Sequence, residues 1–444
     1  MHVTRLEIAG VRGFDGPRRV DLEFPQRPDG SYAGWTVLAG RNGSGKSSLL
    51  QAMMLALGGP ENGGTLAMGG VWKSDGEDTL EPLPFPEPGV RVHLARSPEH
   101  DPFSTEGGVI AAVMWSRSGG FVRWRTQSSR SDQPKPESDG AWSPRPEGWL
   151  YLGYGPFRRH STPGVGVQDS AATRGAGFQT LFDEDATLVE GVSWLIGQHL
   201  LRLEGKAGAA ELLEAVLRLL GDGLLPDGFR ICRVDSDGLW VSRADGREFP
   251  MRRMSDGYRT VGALVVDIVR RMHLSYGDLR VEERDGIPTL PYPGVILIDE
   301  VDAHLHVSWQ KKIGGWLKAH FPEMQFIVTT HSPYICQSAD PGGLIRLPGP
   351  DEQAPPRAVD EDLYARIVYG SGDDAVLSEL FGLETPYSDE AERLRDRLGE
   401  LEGRVLDGAA SEEEVAEYRD LSKKLQSSLG ARVHEVSSRL GLEP

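Results

Sequence analysis

The spacing of hydrophobic residues along the chain predicts alternating β-strands and α-helices. Residues 6–8 and 20–24 alternate apolar and polar side chains, as strands with one buried face do. Residues 178–222 and Met254–Met272 instead carry apolar side chains at helical spacing. Val295–Ile298 is apolar throughout, which is typical of a parallel strand covered on both faces. We therefore expect an α/β fold with a mixed sheet and a helical lobe.

A chain of 444 residues is expected to form about three domains. The pattern predicts a core lobe from residues 1–177 and 294–347, a helical lobe from residues 178–293, a linker with a small helical element from residues 348–384, and a helical hairpin from residues 385–444. The hairpin is predicted from two apolar stripes and is a candidate interaction module. These stripes are Leu394, Leu398, Leu401 and Val405, and then Tyr418, Leu421, Leu425, Leu429, Val433, Val436 and Leu440.

Glycine, proline and polar residues predict where the chain leaves regular structure. Residues 59–90 are rich in Gly, Pro and acidic residues, and we expect an exposed excursion there. Residues 276–292 are expected to be a polar insertion, and residues 348–360 a linker. A single helix is expected over about residues 304–319.

The acidic composition limits the classes of function. The formal net charge is −18 and the pI is about 5.1, so a nucleic-acid contact would need a local basic patch. The best such patch is Arg117, Arg123, Arg125 and Arg130, which lie close in sequence and could support DNA-binding. The two cysteines indicate no disulfide framework or zinc site. No signal peptide or membrane-spanning run is visible, so we expect a cytoplasmic protein without a membrane partner.

The strongest chemical signal is Gly40-Arg41-Asn42-Gly43-Ser44-Gly45-Lys46-Ser47, a complete GxxxxGK[ST] sequence between a predicted strand and a predicted helix. Main-chain N–H groups and the helix N-terminus of such a loop hold phosphates. Lys46 would reach the β- and γ-phosphates, and the Ser47 hydroxyl would bind Mg²⁺. ATP and Mg²⁺ are therefore the predicted cofactors. The predicted ATP-binding residues here are Gly40, Asn42, Gly43, Ser44, Gly45, Lys46, Ser47 and Ser48.

Three further segments carry residue types that suit nucleotide chemistry. Asp299 and Glu300 end the apolar strand, so Asp299 is predicted to hold Mg²⁺ and Glu300 to activate the attacking water. Ser255 and Gly257, at the start of a predicted helix, are predicted to form an anion site. His331 ends the next strand and is predicted to reach the γ-phosphate. In isolation, the serine and glycine would be an ordinary helix cap and turn.

The order of these segments resembles that of ABC-type ATPase heads, a class that includes SMC, RecF, repair and OLD proteins. Gly40–Ser47 matches the Walker A motif, Met254–Tyr258 the signature, Ile296–Glu300 the Walker B motif and Val301–His306 the D-loop, and the match covers about residues 1–347. The resemblance implies a two-lobed P-loop NTPase. It also implies a head-to-tail dimer in which each ATP lies between the Walker A motif of one copy and Ser255 of the other.

The resemblance assigns nucleotide contacts to Asp302 in the D-loop and to Arg12. His306 departs from the pattern, because SMC proteins have an aspartate there. No glutamine stands out as a Q-loop residue. The segment Tyr154–Arg159 carries two arginines, for which contact with nucleotide, contact with a partner and simple surface exposure all stay open.

Several segments, including Ala375–Gly382, further resemble stand-alone ATPases of bacterial anti-phage systems, such as the Septu ATPase subunit with or without a retron. This implies an ATP-hydrolysing dimeric switch or higher oligomer that controls a separate nuclease, for which an HNH-type enzyme is one option. A RecF-like repair ATPase that binds DNA directly, and an ATP-locked scaffold with negligible turnover, remain alternatives.

Overall fold

The computed structural model describes residues 1–69, 72, 88–97, 109–115, 122–128, 149–158, 174–277, 279–383 and 385–425. Internal contacts divide the chain into two compact units, Met1–Tyr369 and Gly370–Pro444. The further division of the first unit into a core lobe and a helical lobe stays a prediction.

The strands of the described part, in chain order, are β1 (His2–Ala9), β2 (Val20–Glu23), β3 (Gly34–Ala39), β4 (Gly89–Ala95), β5 (Val109–Trp115), β6 (Val122–Ser128), β7 (Tyr151–Tyr154), β8 (Arg230–Asp235), β9 (Gly238–Ser242), β10 (Glu248–Pro250), β11 (Glu282–Arg284), β12 (Ile287–Thr289), β13 (Gly294–Ile298), β14 (Met324–Thr329), β15 (Leu344–Arg346) and β16 (Arg357–Ala358). The α-helices are α1 (Lys46–Gly69), α2 (Val189–Leu203), α3 (Ala209–Gly221), α4 (Asp256–Tyr276), α5 (Val307–Gln310), α6 (Ile313–His320), α7 (Pro333–Cys336), α8 (Glu361–Val368), α9 (Gly372–Val376), α10 (Asp389–Leu406) and α11 (Glu412–Lys424). Short 3-10 helices occur at Gly16–Arg18, Arg174–Leu181 and Met251–Arg253.

A six-stranded sheet with the order β16-β15-β3-β14-β13-β7 forms the centre of the first unit. All its pairs are parallel except the β15–β16 pair. In the register, Ile298 of β13 lies opposite Tyr154 of β7 and Val328 of β14, and Thr329 lies opposite Leu38 of β3. These four strands therefore end at one edge, which we call the carboxyl edge.

Burial of the central strands confirms the expectation drawn from their composition. Val295–Ile298 is fully buried, and every residue of β14 is buried as well. Both faces of such strands are buried under other layers of the protein. This favours continuous runs of Val, Ile and Leu over an alternation of apolar and polar residues.

Helix α1 forms the main packing layer between this sheet and a five-stranded antiparallel sheet with the order β2-β1-β4-β5-β6. One hydrophobic core joins Leu49–Leu57 of α1 to side chains of β1, β4 and β5 on one side and to Val295 and Leu297 of β13 on the other. This core fixes the start of α1 and thereby the loop that precedes it.

The signature helix α4 is held by charged groups inside the protein. Arg270 and Arg271 both pair with Glu190 of α2, at 2.9 and 3.3 Å, and both lie 3.6 Å from the carboxylate of Asp267. The Tyr154 hydroxyl donates to Asp267 Oδ2 at 2.9 Å, which connects α4 to β7. Except for Glu190, these side chains are almost fully buried. Their charges are therefore stabilised by their ion-pair and hydrogen-bond partners and not by water.

The structure differs from the sequence expectations at four segments. Helix α1 continues into the expected excursion as far as Gly69, although Gly59 has a left-handed φ of 66° and divides it into two helices. The single helix expected near residues 304–319 is two short helices, α5 and α6. The polar insertion at residues 276–292 folds as the β11–β12 hairpin. The linker after Leu347 adds β16 to the central sheet.

The second unit contains the predicted helical hairpin, α10 and α11. Ser411 and Glu414 form a capping box at the start of α11, because each side chain bonds the other residue's main-chain N–H group. Gly408 has a φ of 68° in the turn between the two helices, and Leu401 and Leu421 are buried. Residues 426–444 of the second stripe lie outside the described residues.

Among the described residues, no helix has the length and apolar character that a membrane crossing requires.

Replacement of Asp267 should test the buried charge network. We expect Asp267→Ala to lower the free energy of unfolding by about 3–5 kcal/mol, because two buried guanidinium groups would lose a counter-charge. Glu248→Ala is the control, since Glu248 pairs with Arg233 where both side chains are at least 40% exposed; the control should change stability by at most about 1 kcal/mol. Urea unfolding of both variants checks this, and equal losses would contradict it.

Candidate active site at the carboxyl edge

The phosphate loop, Gly40–Ser47, connects β3 to α1 at the carboxyl edge. Its three glycines have φ values between 78° and 159°, which side-chain-bearing residues rarely adopt. A Cβ on Gly45 would lie 2.7 Å from the Phe14 ring, and one on Gly40 would lie 2.5 Å from the Leu347 carbonyl oxygen. The loop is therefore both left-handed and tightly enclosed, which explains why glycine stands at these positions.

The interior of the loop presents donors that suit a polyphosphate. The Lys46 ammonium donates to the carbonyl oxygens of Gly40 and Arg41, at 2.8 and 3.1 Å, and so bends back over the loop. Burial lowers the pKa of Lys46, while the nearby Asp299, Glu300 and Asp302 carboxylates oppose that shift. The Ser44 hydroxyl is buried without a hydrogen-bond partner among the described residues. An orphaned hydroxyl inside a glycine cradle fits a bound phosphate.

The carboxylates of β13 reach the same edge. Asp299 is 3% exposed, and its Oδ1 accepts a hydrogen bond of 2.5 Å from the Thr329 hydroxyl. The Glu300 N–H donates to that hydroxyl oxygen at 2.7 Å, so Thr329 orders both residues. A hydroxyl from Ser47 and a carboxylate from Asp299 are oxygen ligands of the kind that Mg²⁺ prefers. The residues present therefore fit ATP with Mg²⁺.

Glu300 has a left-handed main chain, with a φ of 44°. That conformation is strained for a residue with a side chain and recurs at functional positions. Its side chain is half-buried at the end of β13, where a carboxylate could accept a proton from water.

Asp302 and His331 complete this edge. The Thr330 hydroxyl donates to Asp302 Oδ1, and the Ser332 N–H donates to the Thr330 hydroxyl at 2.9 Å. His331 follows at the exposed end of β14. Partial burial and the positive charge of Lys46 lower the pKa of His331, against the opposing effect of the acidic residues. A neutral imidazole could donate one hydrogen bond to a phosphate oxygen.

The predicted signature residues, Ser255 and Gly257, lie in a separate part of the candidate site. Ser255 caps α4 without a side-chain hydrogen bond and is exposed. A Cβ on Gly257 would lie 2.4 Å from the His304 carbonyl oxygen, so the signature packs directly on the D-loop. Ser255, Gly257, His304 and Trp309 help line a cavity of about 220 Å³, to which no residue of the phosphate loop contributes.

Arg12 lies beside α1 and not on the phosphate loop itself. Its guanidinium donates to Gln51 Oε1 at 2.7 Å and covers the Trp72 ring at 3.7 Å. Burial lowers the pKa of Arg12. Phe14, two residues later, packs on Gly45. The contact of Arg12 with nucleotide stays a prediction.

The positions of two features of this edge could not be predicted from the sequence. The segment after β15 packs on the phosphate loop, since Pro350 approaches Gly43 and Asp351 lies 3.5 Å from the Arg41 guanidinium. Arg158, whose role was open, is buried and donates to the main-chain carbonyls of Asp299 and Glu300. Neither segment has a sequence motif that would identify its place.

Other sequence predictions fall outside the part described. Arg117, Arg130 and Arg159 lie beyond the described residues, and the side chains of Arg123 and Arg125 on β6 are not described either. No group of three or more His, Cys, Asp or Glu side chains suited to a metal occurs among the described residues.

Two family models match separate parts of the chain. The model described as "AAA domain, putative AbiEii toxin, Type IV TA system" matches residues 197–337, and an "AAA domain" model matches residues 5–106. The first match includes the signature, Walker B and His331 segments, and the second includes the phosphate loop.

Curated relatives were found in bacteria. A Septu protein PtuA of Bacillus mycoides is 28% identical over 328 residues, covering 74% of this chain and 38% of that protein. A Septu protein PtuA of Bacillus thuringiensis is 32% identical over 36% of this chain and 40% of its own length. A retron Ec83 probable ATPase of Escherichia coli is 37% identical over 24% of this chain and 18% of its own. The chain thus spans less than half the length of these relatives.

A solved structure shares the architecture. An SMC head, crystallised with the C-terminal winged-helix domain of ScpA, matches with a TM-score of 0.52 at 18% identity, covering 81% of this chain and 98% of that one. The chain therefore has the fold of an SMC head. The predicted α/β fold class is thereby confirmed.

The contact between the predicted signature and the predicted D-loop can be tested at Gly257. We expect Gly257→Ala to lower ATP turnover at least about tenfold, because a new Cβ must displace the His304 main chain, while ATP binding at the phosphate loop is retained. Gly197→Ala is the control, since a Cβ there meets nothing within 4 Å. Steady-state turnover and calorimetric ATP binding measure the two effects. Unchanged turnover in Gly257→Ala would contradict the contact's role.

Proposed function

We propose that the chain is the ATP-hydrolysing component of a bacterial anti-phage defence system. It acts as a dimeric switch that controls a separate nuclease. The observation that carries this proposal is the meeting of the phosphate loop, Asp299, Glu300 and His331 at one edge of the sheet, in a chain similar to Septu and retron ATPases.

The proposed mechanism follows from the groups at the carboxyl edge. Main-chain N–H groups of Gly43–Ser48 bind the phosphates, and Lys46 exchanges its loop carbonyls for phosphate oxygens. Ser47 and Asp299 would hold Mg²⁺. When bound, Mg²⁺ supplies positive charge that offsets the charge developing on the transferred phosphoryl group. Glu300 accepts the proton of the attacking water, and neutral His331 donates a hydrogen bond to the γ-phosphate.

We further propose that the site is completed by a second copy of the chain. Ser255 is exposed, its hydroxyl makes no capping bond, and the N-terminus of the 21-residue helix α4 favours an anion. The signature cavity contains no phosphate-loop residue. A head-to-tail arrangement would place Ser255 and Gly257 of one copy on the nucleotide of the other, with Asp302 near the same interface.

The defence role and the nuclease rest on the relatives. Two of them are named Septu protein PtuA and one a retron probable ATPase. We propose that cleavage belongs to a separate protein. An HNH-type nuclease is our first candidate for it.

Glu300→Gln tests the hydrolytic role. We expect ATP turnover to fall by about 100-fold or more while ATP binding persists, because an amide cannot accept the proton. The variant should accumulate an ATP-bound dimer or higher assembly, measured by native mass. The exposed Glu323→Gln, at the opposite end of β14, is the matched control and should retain turnover. Full turnover in Glu300→Gln would contradict the assignment, and no turnover in wild type would favour an ATP-locked scaffold.

Mixing two inactive variants tests the head-to-tail site. Lys46→Ala removes the phosphate-loop lysine, and Ser255→Arg blocks the signature. Random exchange into mixed dimers should restore roughly a quarter of wild-type turnover, because half the dimers are mixed and each has one intact site of two. Each variant alone stays inactive. Absence of recovery, with mixed dimers verified by mass, would contradict a site shared between copies.

A further inference from the structure

Arg158 is a buried cation whose hydrogen bonds go to main-chain carbonyls. It is 3% exposed, and its two terminal nitrogens donate to the carbonyl oxygens of Asp299 at 3.4 Å and Glu300 at 2.9 Å. No carboxylate of the described residues forms an ion pair with it. Burial lowers its pKa to about 10, although Asp302, Asp299 and Glu300 oppose that shift. Burying a cation without an ion pair is energetically unfavourable. The burial of the Arg158 guanidinium therefore indicates a specific role for this side chain.

We infer that Arg158 is a positioning residue for the hydrolytic carboxylate, and that it acts through the main chain of Asp299 and Glu300. The inference rests on the proposed role of Glu300. Arg158 itself is enclosed behind these peptide groups and is not assigned a contact with nucleotide.

The first argument for a positioning role of Arg158 is the main-chain conformation of Glu300. Its left-handed φ of 44° is unfavourable for a residue with a side chain and persists only when neighbours hold it. The Thr329 hydroxyl holds the N–H side of this residue, and Arg158 holds the C=O side together with the Ala303 N–H, which donates to the same oxygen at 2.9 Å. Loss of Arg158 would leave that carbonyl with the local turn bond alone, and we expect the peptide to relax and the carboxylate to turn away from the water.

The second argument for a positioning role of Arg158 is the geometry of its guanidinium group. Its planar fork can donate to two successive carbonyls at once, whereas an ammonium is a point donor. Arg158 therefore fixes the peptide plane between Asp299 and Glu300 as well as the one that follows. These hydrogen bonds also stabilise the left-handed main chain of Glu300, the residue that is proposed to act on water.

The segment that carries Arg158 is itself fixed on two sides. Tyr154, four residues earlier, accepts a hydrogen bond of 2.7 Å from the Asp299 N–H and donates its hydroxyl to Asp267 of α4. A Cβ on Gly155 would lie 2.0 Å from the Thr180 carbonyl oxygen, so the turn packs against Arg174–Leu181. Arg158 is consequently anchored to the β7 end and to the helix that begins at the signature.

The test compares Arg158→Met, Arg158→Gln and Arg158→Lys in the full chain with Glu300→Gln. We expect Arg158→Met to lower kcat roughly 10- to 100-fold, because a carboxylate misplaced by about 1 Å loses its alignment, with KM for ATP changed by at most about twofold. Gln and Lys each keep donors for a single carbonyl and should give intermediate kcat values. If Arg158→Met does not fold, Arg158→Gln takes its place.

A matched control and a double variant separate positioning from general stability. Arg27 also donates to a main-chain carbonyl, that of Pro322 at 3.2 Å, but beside the start of β3 at the opposite edge of the sheet. Arg27→Met should retain kcat at matched folded fraction, checked by thermal unfolding. Arg158→Met combined with Glu300→Gln should be no slower than Glu300→Gln alone, since both act on one group.

The outcomes distinguish the two claims. If Glu300→Gln is slow while the folded Arg158 variants keep wild-type kcat, the inference on Arg158 is wrong and the proposed function stands. An increase in KM with unchanged kcat, or an additive double variant, would also overturn it, because Arg158 would then act independently of Glu300. If Glu300→Gln keeps turnover, the proposed function itself fails.

Discussion

The parallel register of β7, β13, β14 and β3 is the constraint on which the site depends. Parallel strands that run in register deliver their final residues to one edge, where open α/β sheets bind ligands. Here that edge receives Arg158, the Asp299–Glu300 pair, His331 and the phosphate loop from segments spread over residues 40–331. A slip of one position in β13 would move its two carboxylates along the strand by about 3.3 Å and away from the phosphate loop.

Unfavourable local features are concentrated at this edge. Glycines of the phosphate loop and Glu300 adopt left-handed conformations, and Lys46 and Arg158 are buried cations. Each is tolerated because rigid elements surround it: α1 is packed between two sheets, and β13 and β14 are fully buried. Strain and buried charge gathered in one place, inside an otherwise regular apolar core, are typical of a site that acts on a ligand.

Much of this site could be predicted from the sequence because its signals are local. The phosphate loop needs glycine at fixed positions, and the run Val295–Ile298 followed by two acids can be read without knowing any partner. The role of Arg158 could not be predicted, because its hydrogen-bond partners are two main-chain carbonyls more than 140 residues away in sequence. The extension of α1 past Gly59 and the packing of Pro350 on Gly43 likewise depend on tertiary contacts that override local composition.

The central claim is that the carboxyl edge is an ATP-hydrolysing site, and a structure of Glu300→Gln with ATP and Mg²⁺ tests it most directly. We predict the phosphates within Gly40–Ser47 and Mg²⁺ on Ser47. We also predict residue 300 facing the γ-phosphate, with its carbonyl still bound by Arg158, and Ser255 of a second copy on the far side of the nucleotide. Nucleotide bound elsewhere, or at this edge with residue 300 turned away from the γ-phosphate, would contradict this claim.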